Sequence, residues 1–317
     1  MNPRFRAIAV VGAGAVGSFF GAMLARAGHA VTLIGRPAHV QAIVRDGLSL
    51  EMAGRVEQVR LGASSELAAV RGADLVLFCV KSTDTDTVAA ELAPLLEPDA
   101  LLLSLQNGVD NAGRIRHHVA QHVIPAVVYV ATAMPVPGRV AHYGRGDLVV
   151  GAVGPGSDAM QRALQDLVAL FASAGVPVRV SADVMAELWS KLLVNCAFNA
   201  ISGLAQLPYA RLVALEPVRS TQRAVVQELI AVAAADGVQL DLQASLDAVE
   251  RIAAAMPAQL SSTAQDMARH KPSEIDHLNG FVAARGQALG LPTPVNQALH
   301  ALVKLVESGY TATAPRR

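Results

Sequence analysis

The sequence predicts a protein of two domains, an α/β domain with a parallel sheet over residues 1–180 and an all-α domain over residues 181–317. Three observations support this division. Short, continuous apolar runs alternate with helical patterns in the first half, which is typical of a parallel sheet covered by helices on both faces. The strand pattern stops after residue 181, and only long helical patterns follow. A length of 317 residues is also sufficient for two domains of ordinary size.

The first domain begins with alternating strands and helices. Residues 7–12 form an apolar run, and the helical pattern of residues 15–28 ends at Gly28 with a basic residue in its last turn. Further apolar runs, rich in valine and leucine, predict strands over residues 29–35, 73–80, 100–106 and 123–132. Pro125 removes one backbone donor from the last of these runs, so we expect that strand at a sheet edge or near a bulge.

The remainder of the first domain has a different pattern. Residues 138–151 alternate in polarity and contain Gly144 and Gly146, so we expect an antiparallel hairpin that turns at these glycines and is added to the sheet. A helix near residues 157–174 and a strand over residues 176–181 complete the domain.

The second domain contains only helical patterns. We expect helices near residues 183–203, 209–236, 241–255, 259–270, 274–289 and 294–308. Gly237, Pro257 and Gly290 lie between predicted helices, where residues that end or interrupt helices are expected. The last residues, 311–317, predict a loose tail.

Charge balance and cysteine content narrow the range of partners. The chain contains 26 lysines and arginines and 26 aspartates and glutamates, so it lacks the basic field that would attract nucleic acid or a membrane surface. The longest uncharged run, residues 192–210, contains several polar side chains and predicts no membrane span. Cys79 and Cys196 lie in apolar runs, which is typical of reduced core residues in a cytoplasmic protein. We therefore expect a small-molecule partner, or another protein surface such as that of a second copy in a homodimer.

The segment GAGAVG predicts a dinucleotide-binding loop of the Rossmann type. It follows the first strand and opens the first helix, which is the context that the G-x-G-x-x-G pattern requires. The first glycine permits a tight turn, the second lets the backbone approach a pyrophosphate, and the third lets helix and strand pack closely. A glycine-rich turn without a ligand is the alternative. The predicted cofactor contacts are Gly12, Ala13, Gly14, Ala15, Val16 and Gly17.

The end of the second strand indicates which dinucleotide is bound. Sites for NAD usually carry an acidic residue there, which binds the ribose 2′-hydroxyl. This chain has no acidic residue between Gly28 and Asp46, and the strand is followed instead by Arg36. An arginine would bind the 2′-phosphate of NADPH through a charge-assisted hydrogen bond. We therefore expect NADPH as the cofactor, although Arg36 could instead be an ordinary surface arginine.

Two polar residues follow later strands of the sheet. Lys81 follows the strand of residues 73–80, and Asn107 follows that of residues 100–106. Ligands of such sheets bind outside the carboxyl ends of the strands, so both residues are candidates for cofactor contacts. Asn107 could equally bind the nicotinamide side or the substrate, and either residue could be an exposed turn residue.

The segment WSKLLVNCAFN carries a polar stripe on an apolar helix. Lys191, Asn195 and Asn199 are spaced four residues apart, and each such step turns only about 40° beyond a full circle. Their side chains therefore share one face. A solvated face would explain them, but the flanking positions are apolar as well. Because buried polar groups need partners, we expect this stripe to line a cleft.

Four motifs, in this order and spacing, resemble those of the ketopantoate reductases (2-dehydropantoate 2-reductases): CVKS, LQNG, WSKLLVNCAFN and SSTAQDMARHKPSEIDHLNG. The resemblance covers nearly the whole chain. It implies an NADP-binding Rossmann-type domain followed by a helical domain, in a 6-phosphogluconate-dehydrogenase-like fold. It also implies NADPH-dependent reduction of 2-dehydropantoate to (R)-pantoate, a step towards pantothenate and coenzyme A.

The resemblance assigns roles to residues of the helical domain. The catalytic lysine of the family corresponds to Lys191, which would protonate the ketone oxygen as a general acid or stabilise its negative charge. Glu274 would keep this lysine charged or bind a substrate hydroxyl. Asn195 and Asn199 correspond to the amides of the substrate-binding helix, and Ser262 corresponds to the serine that binds the substrate carboxylate.

In the first domain the resemblance supports the candidates already identified. The family's arginine that binds the 2′-phosphate corresponds to Arg36, and its lysine and asparagine that follow two strands of the sheet correspond to Lys81 and Asn107. The same residues would also serve a reductase of another short 2-keto acid, or a non-catalytic regulator that binds NADP(H).

Simpler interpretations exist for several of these residues. Ser262 could be a helix cap, and Glu274 could be an acid at a helix amino terminus, where negative charge is favourable. Lys191 as a Schiff-base nucleophile is disfavoured, because a hydride cofactor leaves no need for an imine. The nine histidines are scattered along the chain, and we expect no metal site.

Overall fold

The computed structural model describes residues 4–154 and 156–310. The chain divides into two compact units between Glu187 and Leu188, inside a helix. The first unit is α/β with a largely parallel sheet and the second is helical, which confirms the predicted fold class. The tail predicted for residues 311–317 lies outside the described residues.

Within the described residues, the first unit contains one sheet of ten strands. The strands are β1 (Ala7–Val11), β2 (Ala30–Ile34), β3 (Leu48–Met52), β4 (Arg55–Val59), β5 (Gly62–Ser64), β6 (Leu75–Phe78), β7 (Leu101–Ser104), β8 (His122–Val136), β9 (Arg139–Val150) and β10 (Val178–Val180). Their order is β4-β3-β9-β8-β7-β6-β1-β2-β5, and β10 pairs with β9. The helices are α1 (Ala15–Arg26), α2 (Pro37–Asp46), α3 (Thr85–Leu92), α4 (Asn111–Arg116) and α5 (Asp158–Ser173).

The central strands are parallel, and β1 shows why they are apolar throughout. Ile8 and Val10 belong to a hydrophobic core that also contains Phe20 of α1. Ala9 and Val11 belong to a second core, on the other face of the sheet. Because both faces are covered, Ile8 to Val11 are all buried, and a continuous apolar run results.

The hairpin predicted within residues 138–151 is wrong. Strand β9 runs without interruption through Gly144 and Gly146 and pairs antiparallel with β8, to which it is joined by a tight turn at residues 137–138. The glycines have positive φ angles and lie where the register of β8 and β9 shifts. They therefore mark bulges within one strand, where glycine is favoured, rather than a reversal of the chain.

The edge position predicted for the strand of Pro125 is wrong, because β8 lies inside the sheet, whereas the alternative of a nearby bulge agrees with the register shift between Tyr129 and Val130. Pro125 is the last residue of β8 that pairs with β7, and from Ala126 onwards β8 pairs with β9. The missing backbone donor of the proline thus falls where the strand changes partners.

Three short strands within residues 48–64 were not predicted. In β3, Leu48 and Leu50 are buried while Ser49 and Glu51 are partly exposed. This alternation is typical of a strand with one buried face, but it extends over only five residues. The partner strand β4 is mostly exposed and carries little hydrophobic signal.

The helices of the second half follow the predicted order. They are α6 (Val184–Ala205), α7 (Tyr209–Val213), α8 (Glu216–Ala235), α9 (Leu242–Ala255), α10 (Ser262–Ala268), α11 (Asn279–Leu289) and α12 (Pro294–Ser308). Helix α6 begins in the first unit and continues into the second.

Three predicted helices are shorter than expected. The segment of residues 209–236 forms two helices, because Pro217 cannot occupy a helix interior and instead lies in the first turn of α8. The side chain of Ser261 caps α10, so this helix starts at Ser262. A 3₁₀ turn over Ile275–His277 precedes α11, and Leu278 separates the two with φ of −115° and ψ of −108°.

Among the described residues, no helix combines the length and the apolar character needed to span a bilayer. Cys79 is half-buried, Cys196 is buried, and both are free. Burial raises the pKa of both thiols, which disfavours the reactive thiolate.

Candidate functional site

The glycine loop joins β1 to α1 and packs against the end of β6. Gly12 has φ of +102°, a backbone conformation that favours glycine. A Cβ at Gly12 would lie 2.6 Å from the carbonyl carbon of Cys79, and a Cβ at Gly17 would collide with the carbonyl oxygen of Gly12. A Cβ at Gly14 would meet no atom within 4 Å, so the backbone is open there. The loop therefore has the tight turn, the close packing and the accessible backbone that a pyrophosphate requires.

The start of α1 adds backbone donors to this loop. The Ser18 N–H donates to the carbonyl of Gly14, the N-cap residue, at 2.8 Å. Because intrahelical bonds begin with Ser18, the N–H groups of Ala15, Val16 and Gly17 have no acceptor within the helix. Together with the helix dipole, these donors favour an anion.

Arg36 lies next to the glycine loop along the sheet edge. The N–H groups of Gly12 and Ala13 both donate to the carbonyl of Ile34, the last residue of β2, at 3.0 Å. Arg36 follows two residues later as the N-cap of α2. Its side chain is exposed and forms no ion pair with the described residues. A cation is thus available where the second strand ends.

Lys81 and Asn107 follow the neighbouring parallel strands β6 and β7. Lys81 is exposed and Asn107 is half-buried. The hydroxyl of Ser82, the residue after Lys81, donates to the carbonyl of Asn107 at 3.0 Å. The structure therefore brings the two predicted residues to adjoining segments at the same edge of the sheet.

A network of buried side chains, which the sequence did not predict, fixes these two segments. The Asn111 amide donates to the carbonyl of Asn107 at 2.6 Å and to the hydroxyl of Ser82 at 3.1 Å. Thr85 donates to the Asn111 carbonyl oxygen at 2.9 Å, and Gln106 donates to Thr85 at 2.7 Å. The side chains of Ser82, Thr85, Gln106 and Asn111 are almost fully buried.

These residues were missed because Ser, Thr, Asn and Gln are usually exposed in turns. The signal that could have identified them was the number of polar residues that follow these strands. The segments KSTDT and LQNGVDN place several small polar residues directly after two fully buried strands. Polar groups at the end of a buried strand must find partners, and neighbouring strand ends supply them.

The polar stripe of α6 is not a solvated face. Lys191 and Asn195 are half-buried, and Asn199 is only 2% exposed. The opposite sides of this segment are packed in the core, since Leu192, Cys196 and other neighbours are buried. The stripe therefore places a cation and two amides on one partly enclosed face.

The start of α10 is attached to this stripe. The Asn199 amide donates to the hydroxyl of Ser262 at 3.3 Å, and the Ser261 hydroxyl contacts the carbonyl of Asn199 at the same distance. Ser261 is buried and accepts the Ala264 N–H at 3.0 Å, which makes it the helix cap. Ser262 is exposed. Ser262 is therefore not the helix cap that the sequence allowed it to be, since Ser261 has this role. The Ser262 hydroxyl lies beside Asn199.

The segment that carries Glu274 is held by α12 on both sides of this residue. The N–H and the hydroxyl of Ser273 donate to the Glu307 carboxylate at 2.8 and 2.6 Å. Asp276 contacts His300 at 2.6 Å and accepts a hydrogen bond from Lys304 at 2.8 Å. Glu274 is half-buried and precedes a 3₁₀ turn. The helix predicted from residue 274 onwards does not begin here. Glu274 instead precedes a short 3₁₀ turn, so it is still an acid at the start of a helical segment.

A buried amide joins this segment to α6. The Asn279 amide, at the start of α11, donates to the Cys196 carbonyl at 3.2 Å and to the Asn296 side chain at 2.9 Å. The Asn296 amide in turn donates to the Glu228 carboxylate at 2.8 Å. Because Cys196 lies between Asn195 and Asn199 on α6, these contacts fix the part of the helix that carries the stripe.

His118 and His122 have the spacing of a helical metal-binding motif. The structure places His118 in the turn after α4 and His122 at the start of β8, so the two do not share a helix face. In the described part of the chain, no group of three or more His, Cys, Asp or Glu side chains could hold a metal ion.

Two sequence models of one protein family match the chain. The model described as ketopantoate reductase PanE/ApbA matches residues 8–155, and the model of the carboxy-terminal part of the same family matches residues 183–307. Together they cover most of both units.

Individual proteins match over nearly the full length. The 2-dehydropantoate 2-reductase of Halobacterium salinarum is 32% identical, over 95% of this chain and 98% of that protein. The crystal structure of a PanE/ApbA family ketopantoate reductase from Ralstonia eutropha is 54% identical, with a TM-score of 0.90, over 96% of this chain and 99% of that one. The structure of D-mandelate dehydrogenase with NADH and anilino(oxo)acetate is 25% identical, also with a TM-score of 0.90, over 96% and 99% of the two chains.

The two adjacent serines provide a test of the site geometry. Ser261→Ala removes the cap of α10, and we expect the free energy of unfolding to fall by about 1–2 kcal/mol. Ser262→Ala is the matched control, because its exposed hydroxyl caps nothing and loses only the 3.3 Å contact with the Asn199 amide, so it should lower stability by less than Ser261→Ala does. Urea denaturation measures both. Equal losses of stability in the two variants would contradict the distinction between cap and site residue.

Proposed function

Because the chain belongs to the ketopantoate reductase PanE/ApbA family, it is an oxidoreductase, and we propose that it reduces 2-dehydropantoate to (R)-pantoate with NADPH. The observation that carries this proposal is the stripe of α6, where a lysine and two amides lie on a partly enclosed face of an otherwise apolar helix. 2-Dehydropantoate has a ketone, a carboxylate and a hydroxyl, and each can be met by one of these side chains or by Ser262.

The residues of the glycine loop fit a dinucleotide. The open backbone at Gly14 and the first-turn N–H groups of α1 suit a pyrophosphate, and the exposed guanidinium of Arg36 suits a 2′-phosphate. Lys81 and Asn107, on the same edge of the sheet, would contact the cofactor, and Asn107 could also contact the substrate. When bound, the cofactor supplies the hydride for the ketone carbon.

Lys191 provides the proton that this reduction requires. Addition of hydride breaks the π bond of the ketone, and the electron pair passes to the oxygen. The ammonium group of Lys191 would donate its proton to this oxygen, and the lysine would recover a proton from solvent after the product leaves. Before the transfer, its positive charge stabilises the negative charge that develops on the oxygen. Glu274 would favour the charged form of Lys191, so that the lysine carries the proton before hydride is transferred.

The amides and the serine account for substrate choice. Asn195 and Asn199 can bind the substrate hydroxyl without adding charge, and Ser262 can donate to the carboxylate. A substrate without the hydroxyl would leave a partly buried amide without a partner, which costs binding free energy. The site would therefore prefer a hydroxylated 2-keto acid.

A panel of 2-keto acids tests the proposed activity. We expect kcat/KM with NADPH to be about 100-fold or more higher for 2-dehydropantoate than for 3,3-dimethyl-2-oxobutanoate, which differs only by the missing hydroxyl. Asn195→Ala should reduce this ratio. Benzoylformate, the keto acid related to mandelate, serves as the aromatic comparison. Faster reduction of benzoylformate, or no turnover of any 2-keto acid, would contradict the proposal.

The preference for NADPH depends on Arg36. We expect Arg36→Ala to raise the Kd of NADPH about 10-fold or more, the effect of losing one charge-assisted hydrogen bond, and to leave the Kd of NADH nearly unchanged. Fluorescence titration of both cofactors measures this. Arg45→Ala is the control, since Arg45 lies at the other end of α2 and is paired with Asp46. Equal affinity of the wild-type protein for NADH and NADPH would show that the assignment of Arg36 is incorrect.

A further inference from the structure

A buried histidine outside the predicted site forms a chain of hydrogen bonds that ends in the glycine loop. His39 lies in the first turn of α2 and is 5% exposed. Its Nδ1 atom accepts the N–H of Gly138, in the turn between β8 and β9, at 2.8 Å. Its Nε2 atom lies 3.1 Å from the hydroxyl of Ser18, which is fully buried in α1. The Ser18 hydroxyl reaches the carbonyl of Ala13 at 3.3 Å.

The chemistry of these groups fixes the direction of the chain. A backbone N–H can only donate, so Nδ1 of His39 must accept, and the ring proton must reside on Nε2. Nε2–H then donates to the Ser18 oxygen, which leaves the serine proton for the carbonyl of Ala13. Burial lowers the pKa of His39, and this favours the neutral ring that the arrangement needs. Each donor and acceptor along the chain has one partner.

The chain ends at a peptide of the cofactor loop. The Ala13 N–H donates to the carbonyl of Ile34, while the Ala13 carbonyl accepts the Ser18 hydroxyl, so Ala13 is held from two sides. Gly35 passes close to the side chain of Ala13, since a Cβ at Gly35 would lie only 2.7 Å from the Cβ of Ala13.

The same histidine is connected to Arg36. The backbone N–H of His39 donates to the carbonyl of Arg36 at 3.0 Å, within the first turn of α2. On the other side, Gly138 is fixed by its own contacts, because its carbonyl accepts the Ser49 N–H at 2.9 Å and a Cβ there would lie 2.7 Å from the Cβ of Ala42. His39 thus joins a rigid turn of the sheet to both elements that would hold the dinucleotide.

We propose that His39 is a positioning residue for dinucleotide binding, which orients Ala13 through the Ser18 hydroxyl and holds the helix turn that presents Arg36. This inference rests on the proposed function, since it requires that the glycine loop binds a dinucleotide. His39 does not touch the ligand in this arrangement and acts only through Ser18 and α2. Its loss should therefore change cofactor affinity and leave the chemical step intact.

Binding of NADPH to single and double variants tests the proposal. We expect Ser18→Ala and His39→Leu each to raise the Kd of NADPH about 10-fold. The double variant should bind no more weakly than His39→Leu alone, because both changes interrupt the same chain. The KM for NADPH should rise in parallel, while kcat at saturating NADPH and the KM for the keto acid stay within about 2-fold of wild type.

A second histidine and serine pair is the matched control. His29 contacts the hydroxyl of Ser173 at 2.9 Å, in the same unit but on the exposed surface. His29→Leu and Ser173→Ala make the same chemical changes without altering the glycine loop, and the Kd of NADPH should remain at the wild-type value. Thermal melting shows whether each variant is folded. If His39→Leu does not fold, the Kd of NADPH for Ser18→Ala is sufficient to test the proposal. This variant removes only one oxygen atom and should therefore fold.

The outcomes separate this inference from the function on which it rests. Tight binding of NADPH by wild type together with an unchanged Kd in folded Ser18→Ala would overturn the role of His39 and leave the proposed function standing. Independent, additive effects in the double variant would also overturn it. Failure of the wild-type protein to bind NADPH would instead reject the proposed function.

Discussion

The parallel pairing of the central strands is the constraint on which the arrangement of the candidate cofactor-binding residues in the first unit depends. Parallel strands place their carboxyl ends at one edge of the sheet, so the segments that follow β1, β2, β6 and β7 must lie next to one another. The glycine loop, Arg36, Lys81 and Asn107 are these segments. Their proximity follows from the topology, whereas their exact orientation depends on local hydrogen bonds to Ile34, Ser82 and Asn111.

In the helical unit, buried polar side chains fix the position of the helix that carries the polar stripe. A helix packed only through aliphatic side chains could rotate or shift at small cost, but a backbone carbonyl that is paired with a buried amide fixes its position. Asn279 forms such a contact with Cys196, in the middle of the polar stripe of α6. The buried hydroxyl of Ser261 makes a comparable contact with the Asn199 carbonyl. The stripe and Ser262 are therefore held in register by residues that need not touch a substrate.

The sequence contained enough information to predict the fold class, and it also supplied the candidate residues, most of which the structure places at strand ends or on the stripe of α6. Continuous apolar strands, the glycine pattern and the four-residue spacing of the polar stripe are local signals with simple physical causes. No acidic residue follows the second strand, and this absence indicated Arg36 as the residue that would contact the cofactor there. These features depend on only a few neighbouring residues, and tertiary packing did not override them.

Other features could not be read because they depend on partners distant in sequence. Gly144 and Gly146 look like turn residues, and only the pairing of β9 with β8 shows that they lie at bulges. Either serine of the pair at 261 and 262 could have been the cap, and the start of α10 decides between them. His39 and Asn111 are polar residues of ordinary appearance, and their burial becomes visible only when the strands and helices around them are in place.

The rate of the chemical step in Lys191→Ala tests whether α6 presents an acid to the ketone oxygen. If it does, kcat for 2-dehydropantoate should fall by about 10²–10⁴, the usual contribution of general acid catalysis. The Kd of NADPH should change little, because the residues assigned to the cofactor all belong to the first unit. Glu274→Ala should also slow turnover, and the double variant should be little slower than Lys191→Ala alone. A near-normal kcat in Lys191→Ala, with folding and NADPH binding intact, would contradict the account and leave the lysine as a binding residue at most.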